Sequence, residues 1–235
     1  MNRIYLIRHG ENRANLTKEL SHRKIDYPLN DKGRLQAQQT AAYFQNQQVD
    51  EIYASPLCRA VQTAQIIAQA VGLRYTVMEN FREINVGDLE GQPVSAELWA
   101  RHNQVLEGWL DGHPGTRFPG GENYFELRDR MLRGLLWAVQ GKSGRSLLIV
   151  AHGGIFTLTI KDLCPHVNLQ AILHQESANC SISEILLHEN RGKISGELIS
   201  WSSSSHLQGK AAELVSGVPQ PGELEELTTE DESLR

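Results

Sequence analysis

Two short apolar runs, far apart in the chain, end in the same way. Ile4-Tyr5-Leu6-Ile7 runs into Arg8-His9-Gly10, and Leu147-Leu148-Ile149-Val150-Ala151 runs into His152-Gly153-Gly154. Uninterrupted apolar runs of this length suit strands covered on both faces, as in a parallel sheet. Each run therefore delivers a histidine and a glycine to a strand end, and the first delivers an arginine as well. Glycine lets the backbone turn sharply there and lets an anion come close. Open α/β sheets bind their ligands beyond the carboxyl ends of their strands. The two runs thus predict one site at the carboxyl edge of a sheet.

The intervening chain supplies helices of the right kind. Asn30 reads as the N-cap of a helix over about 31–48, with Ala37, Ala41 and Phe44 on one face. Ile52-Tyr53-Ala54 reads as a short strand. Ser55-Pro56 after it reads as an N-cap with proline at the first helical position, opening a helix whose Ala60, Ala64, Ile67 and Val71 form one stripe. A strand is expected over 74–78, then a glycine-bearing loop from Phe81 to Gly91. Helices are expected over 95–110 and 122–139, so residues about 90–140 form a helical excursion between strands. Trp99 and Trp109 read as its core. A helix over about 155–163 and a hairpin of 180–188 with 193–201 close the pattern. From Ser202 the periodicity stops, and residues 202–235 are expected to be a flexible acidic tail.

Composition narrows the class. The chain has 235 residues, 40% of them hydrophobic, enough for one sizeable domain. No apolar stretch is long enough to span a membrane, and no secretory leader is visible. Three cysteines without a CxxC spacing read as reduced thiols, so a cytoplasmic location is expected. The net charge of −5 resides in the segment after Val218, where six acids face one arginine. The remainder is balanced and carries no basic stripe, which argues against a nucleic-acid partner. Oligomeric state is not legible at this level.

Arg8, His9, Arg59, Glu83 and His152 all fall near strand ends or helix starts. Arginine forks match phosphate oxygens, and helix N-termini add backbone donors. A neutral histidine flanked by arginines is a phosphoryl acceptor, and a nearby carboxyl is a proton donor to a leaving oxygen. Phosphoryl transfer mostly needs positioning and charge neutralisation, which this set supplies without a metal or other cofactor. Taken singly, each residue has an ordinary reading as a surface turn, a helix-start ion pair or a solvated acid. The conjunction carries the weight.

Leu6-Ile7-Arg8-His9-Gly10-Glu11 with Asn15 resembles the signature of the histidine phosphatase superfamily, which includes phosphoglycerate mutases. The resemblance continues through Pro28-Leu29-Asn30, Ser55-Pro56-Leu57-Cys58-Arg59, Arg82-Glu83-Ile84-Asn85-Val86-Gly87, Pro119-Gly120-Gly121-Glu122 and Val150-Ala151-His152-Gly153-Gly154, covering about residues 1–201. It implies a three-layer α/β/α sandwich with a mostly parallel central sheet, and a helical insertion at 90–140 roofing the site. It implies His9 as the phosphorylated nucleophile and Glu83 as the general acid. Arg8, Asn15, Arg59 and His152 would hold the phosphate, and Asn179 would support the site. Phosphoglycerate mutases typically carry Glu-Arg-His-Tyr-Gly at the acid motif and an arginine-rich stretch before the second histidine. This chain has neither, which favours a phosphatase acting on a small phosphorylated metabolite. Mutase action and a non-catalytic phospholigand-binding module stand as alternatives. His22, Arg23 and Lys24, with Trp99, His102, Trp109 and Phe118, are the expected substrate determinants.

Overall fold

A computed structural model describes residues 1–219 together with Gly222 and Glu223. The elements run β1 (Asn2–Arg8), α1 (Arg13–Thr17), α2 (Asp31–Phe44), β2 (Glu51–Ala54), α3 (Cys58–Val71), β3 (Tyr75–Val77), α4 (Ala96–Leu110), α5 (Tyr124–Val139), β4 (Ser146–Ala151), α6 (Gly153–Leu163), α7 (Leu169–His174), β5 (Ile182–Asn190) and β6 (Lys193–Ser203).

The strands form one six-stranded sheet in the order β3-β2-β4-β1-β5-β6. The β3–β2, β2–β4 and β4–β1 pairs are parallel, and β5 and β6 join antiparallel at one side. The two apolar runs are the central neighbours. Their register sets Arg8 opposite Ala151, and His9 N–H donates to Ala151 C=O over 2.9 Å. His9 and His152 therefore leave the sheet at the same edge.

Strand alternation divides the core into two layers. Tyr5 and Ile7 of β1, with Leu148 and Val150 of β4, face Ala41 and Phe44 of α2 and the Ala60-Ala64-Ile67 stripe of α3. Ile4, Leu6, Leu147 and Ile149 face the other way, against α5, α6 and the excursion helix α4. Trp99 and Trp109 belong to this second layer, and Phe118 is completely buried in it. The result is the three-layer arrangement. No helix among the described residues is long and apolar enough to cross a membrane.

The structure corrects several local readings. Helix α2 stops at Phe44 rather than near 48, although Asn30 caps it as expected by accepting from Gly33 N–H at 2.8 Å. Helix α3 starts at Cys58 with Leu57 as its N-cap. Ser55 is not the cap, because its hydroxyl is held by His152 instead. Helices α1 and α7 were not anticipated: at five and six residues they are too short to show a stripe. Residues 202–212 are also packed rather than loose. Leu207 and Ala211 are buried against α2, and Gln36 donates its amide to Ala211 C=O at 3.1 Å. Two apolar side chains suffice because the backbone of this segment is held by polar groups of α2. The acidic stretch beyond Glu223 lies outside the described residues.

Candidate active site at the sheet edge

His9 is 4% exposed, and both its nitrogens are assigned by their neighbours. Nδ1 lies 2.7 Å from Gly10 C=O, an acceptor only, so Nδ1 carries the proton. Nε2 is then the lone-pair nitrogen, and it accepts from Arg59 Nε at 3.1 Å. The turn that permits this is tight. A Cβ on Gly10 would sit 2.5 Å from Gly33 C=O, so only glycine fits where β1 meets α2. Gly10 N–H donates to Thr63 Oγ1 of α3 at 3.0 Å, which ties the two elements together.

Arg59 lies in the first turn of α3 and is buried. Its remaining donors reach Ser21 Oγ at 2.8 Å and Ser21 C=O at 3.0 Å. Arg8 is also buried, donates to Ser177 C=O and lies against Gly217. Burial lowers the guanidinium of Arg8 below its ordinary value and that of Arg59 to about 10. Both remain cations at neutral pH. Two guanidiniums removed from water gain from any anion that joins them.

His152 sits 5.2 Å from His9, ring centre to ring centre. Its Nε2 pairs with Ser55 Oγ at 2.7 Å, and its buried Nδ1 has no partner among the described residues. Asn15 helps close the other side. Its Oδ1 accepts from Asn12 N–H at 3.0 Å and from Asn179 Nδ2 at 3.2 Å, which leaves its NH₂ free of partners among the described residues. Asn179 also donates to His9 C=O at 3.0 Å.

Glu83 reaches the site from the loop after β3. Its carboxylate accepts from Gly154 N–H at 3.1 Å and Ile155 N–H at 2.9 Å, at the start of α6, and from Ile84 N–H at 3.0 Å. A Cβ on Gly154 would meet Glu83 Oε1 at 2.8 Å, so this glycine makes room for the carboxyl. The loop is held from behind by Arg130 of α5. Arg130 donates to the carbonyls of Asn80 (3.0 Å), Arg82 (2.6 Å) and Glu83 (2.9 Å), and pairs with Glu122 at 2.9 Å. Arg130→Met would strip these carbonyls and leave the buried Glu122 unpaired. We expect a stability loss of about 3 kcal/mol and a fall in kcat with little change in KM. Urea unfolding and steady-state kinetics check both.

Arg8, His9, Asn15, Arg59 and Glu83 thus line one cleft of about 380 Å³; His152, its ring beside that of His9, is not among the lining residues. The expected substrate determinants divide. Trp99 and His102 line the cleft, whereas Trp109, Phe118 and the His22-Arg23-Lys24 loop do not. That loop already holds an anion of its own. The backbone N–H groups of His22, Arg23, Lys24 and Ile25 all donate to Glu90 Oε1, over 2.6–3.0 Å. Sequence reading missed Arg130, Thr63 and Ser21, and also Ser216, Gly217 and Val218, which form part of the cleft wall. The one signal that could have revealed α1 is the spacing Asn12-x-x-Asn15, which the structure shows as a reciprocal cap. Among the described residues, no group of three or more His, Cys, Asp or Glu is placed to hold a metal ion.

Burial first, then the charges of Arg59 and Arg8, push His9 well below the usual histidine value. Burial, then Arg59, does the same to His152. The neutral, lone-pair form of His9 therefore persists below pH ~6.5. Linkage follows with a definite sign. The unfolded chain takes up these protons as pH falls through about 6.5 and the folded chain does not, so stability is full above that pH and declines below it. We expect Tm to fall steadily from pH 7 to pH 5. A Tm that rises over that range would contradict neutral buried histidines.

Comparison with known proteins agrees with this geometry. The sequence model of the histidine phosphatase superfamily (branch 1) matches residues 4–197. A protein named "Probable phosphoglycerate mutase GpmB" from Yersinia enterocolitica is 33% identical over 211 residues, covering 88% of this chain and 95% of that one. The phosphoserine phosphatase of Entamoeba histolytica, solved with 3-phosphoglyceric acid, superposes with a TM-score of 0.71 at 26% identity, covering 88% of this chain and all of that chain. A mycobacterial glucosyl-3-phosphoglycerate phosphatase, solved with VO3, gives 0.72 at 25% identity, covering 87% of this chain and all of that chain.

Proposed function

The chain belongs to the histidine phosphatase superfamily, and on that premise we propose that it hydrolyses phosphomonoesters of small metabolites through a phosphohistidine at His9. The observation that carries this is the tautomer of His9. With Nδ1–H tied to Gly10 C=O, the Nε2 lone pair is free for phosphorus once Arg59 turns its donor to the phosphate. Arg8, Arg59, the Asn15 amide and His152 Nδ1–H bind the phosphoryl oxygens in this reading. Nε2 forms the P–N bond as the P–O ester bond breaks, and Glu83 gives its proton to the leaving oxygen. Glu83 then takes a proton from water as that water's oxygen bonds to phosphorus and the P–N bond breaks, releasing phosphate. Two buried guanidiniums meet the phosphate's charge, so the reading needs no metal. We propose a cytoplasmic location as well, which the free thiols of Cys58, Cys164 and Cys180 support.

A mutase would return the phosphoryl group to a bound product and needs a cationic partner for that product's carboxylate. Besides Arg8 and Arg59, no Lys or Arg lines the cleft among the described residues. This supports hydrolysis. The mutase names of the 33–34% identical relatives favour the second reading, phosphoglycerate mutase action. Steady-state assays separate the two. Sustained phosphate release from p-nitrophenyl phosphate or 3-phosphoglycerate is the expected result. Negligible hydrolysis with fast interconversion of 2- and 3-phosphoglycerate would overturn it.

A further inference from the structure

The cleft wall is built from two chemically different sets of side chains. Arg8, His9 and Arg59 belong to the phosphate-binding set. Val86, Trp99, Leu106, Leu110, Leu158 and Leu173 make much of the rest apolar. Besides Arg8 and Arg59 no Lys or Arg lines the cleft among the described residues, so a second anionic group on a substrate finds no further guanidinium or ammonium, while the wall holds the carboxylates of Glu19, engaged by Thr17 and Tyr27, and of Glu176. Burying an unpaired charge against such a wall is strongly unfavourable.

Among the polar side chains of this wall, His102 is the one held between aromatic rings. His102 projects from α4 and lines the cleft. Its ring is packed between Trp99 (4.9 Å between centroids) and Phe118 (5.6 Å), which fixes its plane. Its Nδ1 lies 3.0 Å from Asn103 Oδ1. That oxygen only accepts, so Nδ1 carries the proton and Nε2 is an acceptor. Nε2 has no partner among the described residues and is not sealed from solvent. Burial lowers the proton affinity of the ring, in keeping with a neutral acceptor.

We propose that His102 is a specificity-determining residue, and that the leaving alcohol is an uncharged, largely apolar group carrying one hydrogen-bond donor that His102 Nε2 accepts. This rests on the phosphomonoester reading above. It differs from the substrates that carry a carboxylate beside the phosphate.

Four alkyl phosphates test it, because their leaving alcohols differ mainly away from the ester oxygen: 2-phenylethyl phosphate, its 3- and 4-hydroxyphenyl analogues, and 3-phosphoglycerate. For the wild type, kcat/KM for the arylethyl esters should exceed that for 3-phosphoglycerate at least tenfold. At least one hydroxyphenyl ester should be preferred over its parent by about tenfold, the worth of one good hydrogen bond in an apolar site. His102→Phe should erase that preference by lowering only the hydroxylated rate. His102→Gln, which keeps an acceptor, should retain part of it, and decides the matter if the phenylalanine variant fails to fold. A higher kcat/KM for 3-phosphoglycerate than for the arylethyl esters overturns the substrate class but leaves the hydrolase standing. A wild type indifferent to the hydroxyl, or a preference that survives in His102→Phe, overturns the role of His102. No phosphate release from any ester, with phosphoryl exchange intact, would instead remove the hydrolase reading itself.

Discussion

His9→Ala is expected to lower turnover by about 10⁴-fold or more while the protein stays folded. Without Nε2 no P–N bond forms, and water must attack the ester directly with only the phosphate-binding groups to help. The fold should tolerate the change. The side chain contributes one hydrogen bond to its own neighbour's carbonyl and one accepted from Arg59, whereas the strand it ends is held by β4 and β5. Arg59 and Arg8 keep their other partners, so substrate binding should survive and KM should change far less than kcat. The check is kinetics with a thermal melt on the same preparation. Full turnover by a folded His9→Ala protein would discard the phosphohistidine route.

Glu83→Gln should be the second-largest effect, and its dependence on the leaving group identifies the role. The amide is the same size and still accepts one of the α6 N–H groups, so geometry is nearly kept. What it cannot do is give up or take the proton. Phosphoenzyme formation from an alkyl ester should slow about 10²–10⁴-fold, the usual span for a lost general acid. From p-nitrophenyl phosphate, whose leaving anion needs no proton, formation should stay fast. Phosphoenzyme then accumulates, because hydrolysis still lacks its base. Equal slowing of formation from both esters would remove the acid role.

The parts of this site that the sequence displays are those in which one residue type is forced by the backbone. Arg8-His9-Gly10 and His152-Gly153-Gly154 follow buried strands that announce themselves as apolar runs, and Gly10 stands where a Cβ would collide with Gly33. Asn30 is legible for the same reason, because a helix start needs an acceptor for its free N–H groups. Ser55 misled because its position before Pro56 imitates a cap, while its hydroxyl has the stronger claim of a buried imidazole. Arg130 gave no signal at all. Apart from Glu122, its partners are carbonyls of residues 80, 82 and 83, about fifty positions away, and a carbonyl looks the same in every residue. The His22-Arg23-Lys24 loop reads by its side chains as a substrate determinant, yet it does not line the cleft. Its anion is Glu90, held by backbone N–H groups that leave no trace in composition. Residues 202–212 lacked periodicity because two buried apolar side chains and a few backbone bonds, not an apolar face, hold them.

The central claim is that phosphate leaves the substrate by way of His9 and then goes to water. A rapid-quench experiment with ³²P-labelled 2-phenylethyl phosphate tests it in one run. The predicted result is transient protein-bound label, stable to alkali and labile to acid, mapped to the peptide containing His9, and decaying at the rate at which inorganic phosphate appears. Phosphate released with no label at His9, or label that persists at His9 until a second alcohol removes it, would contradict the account.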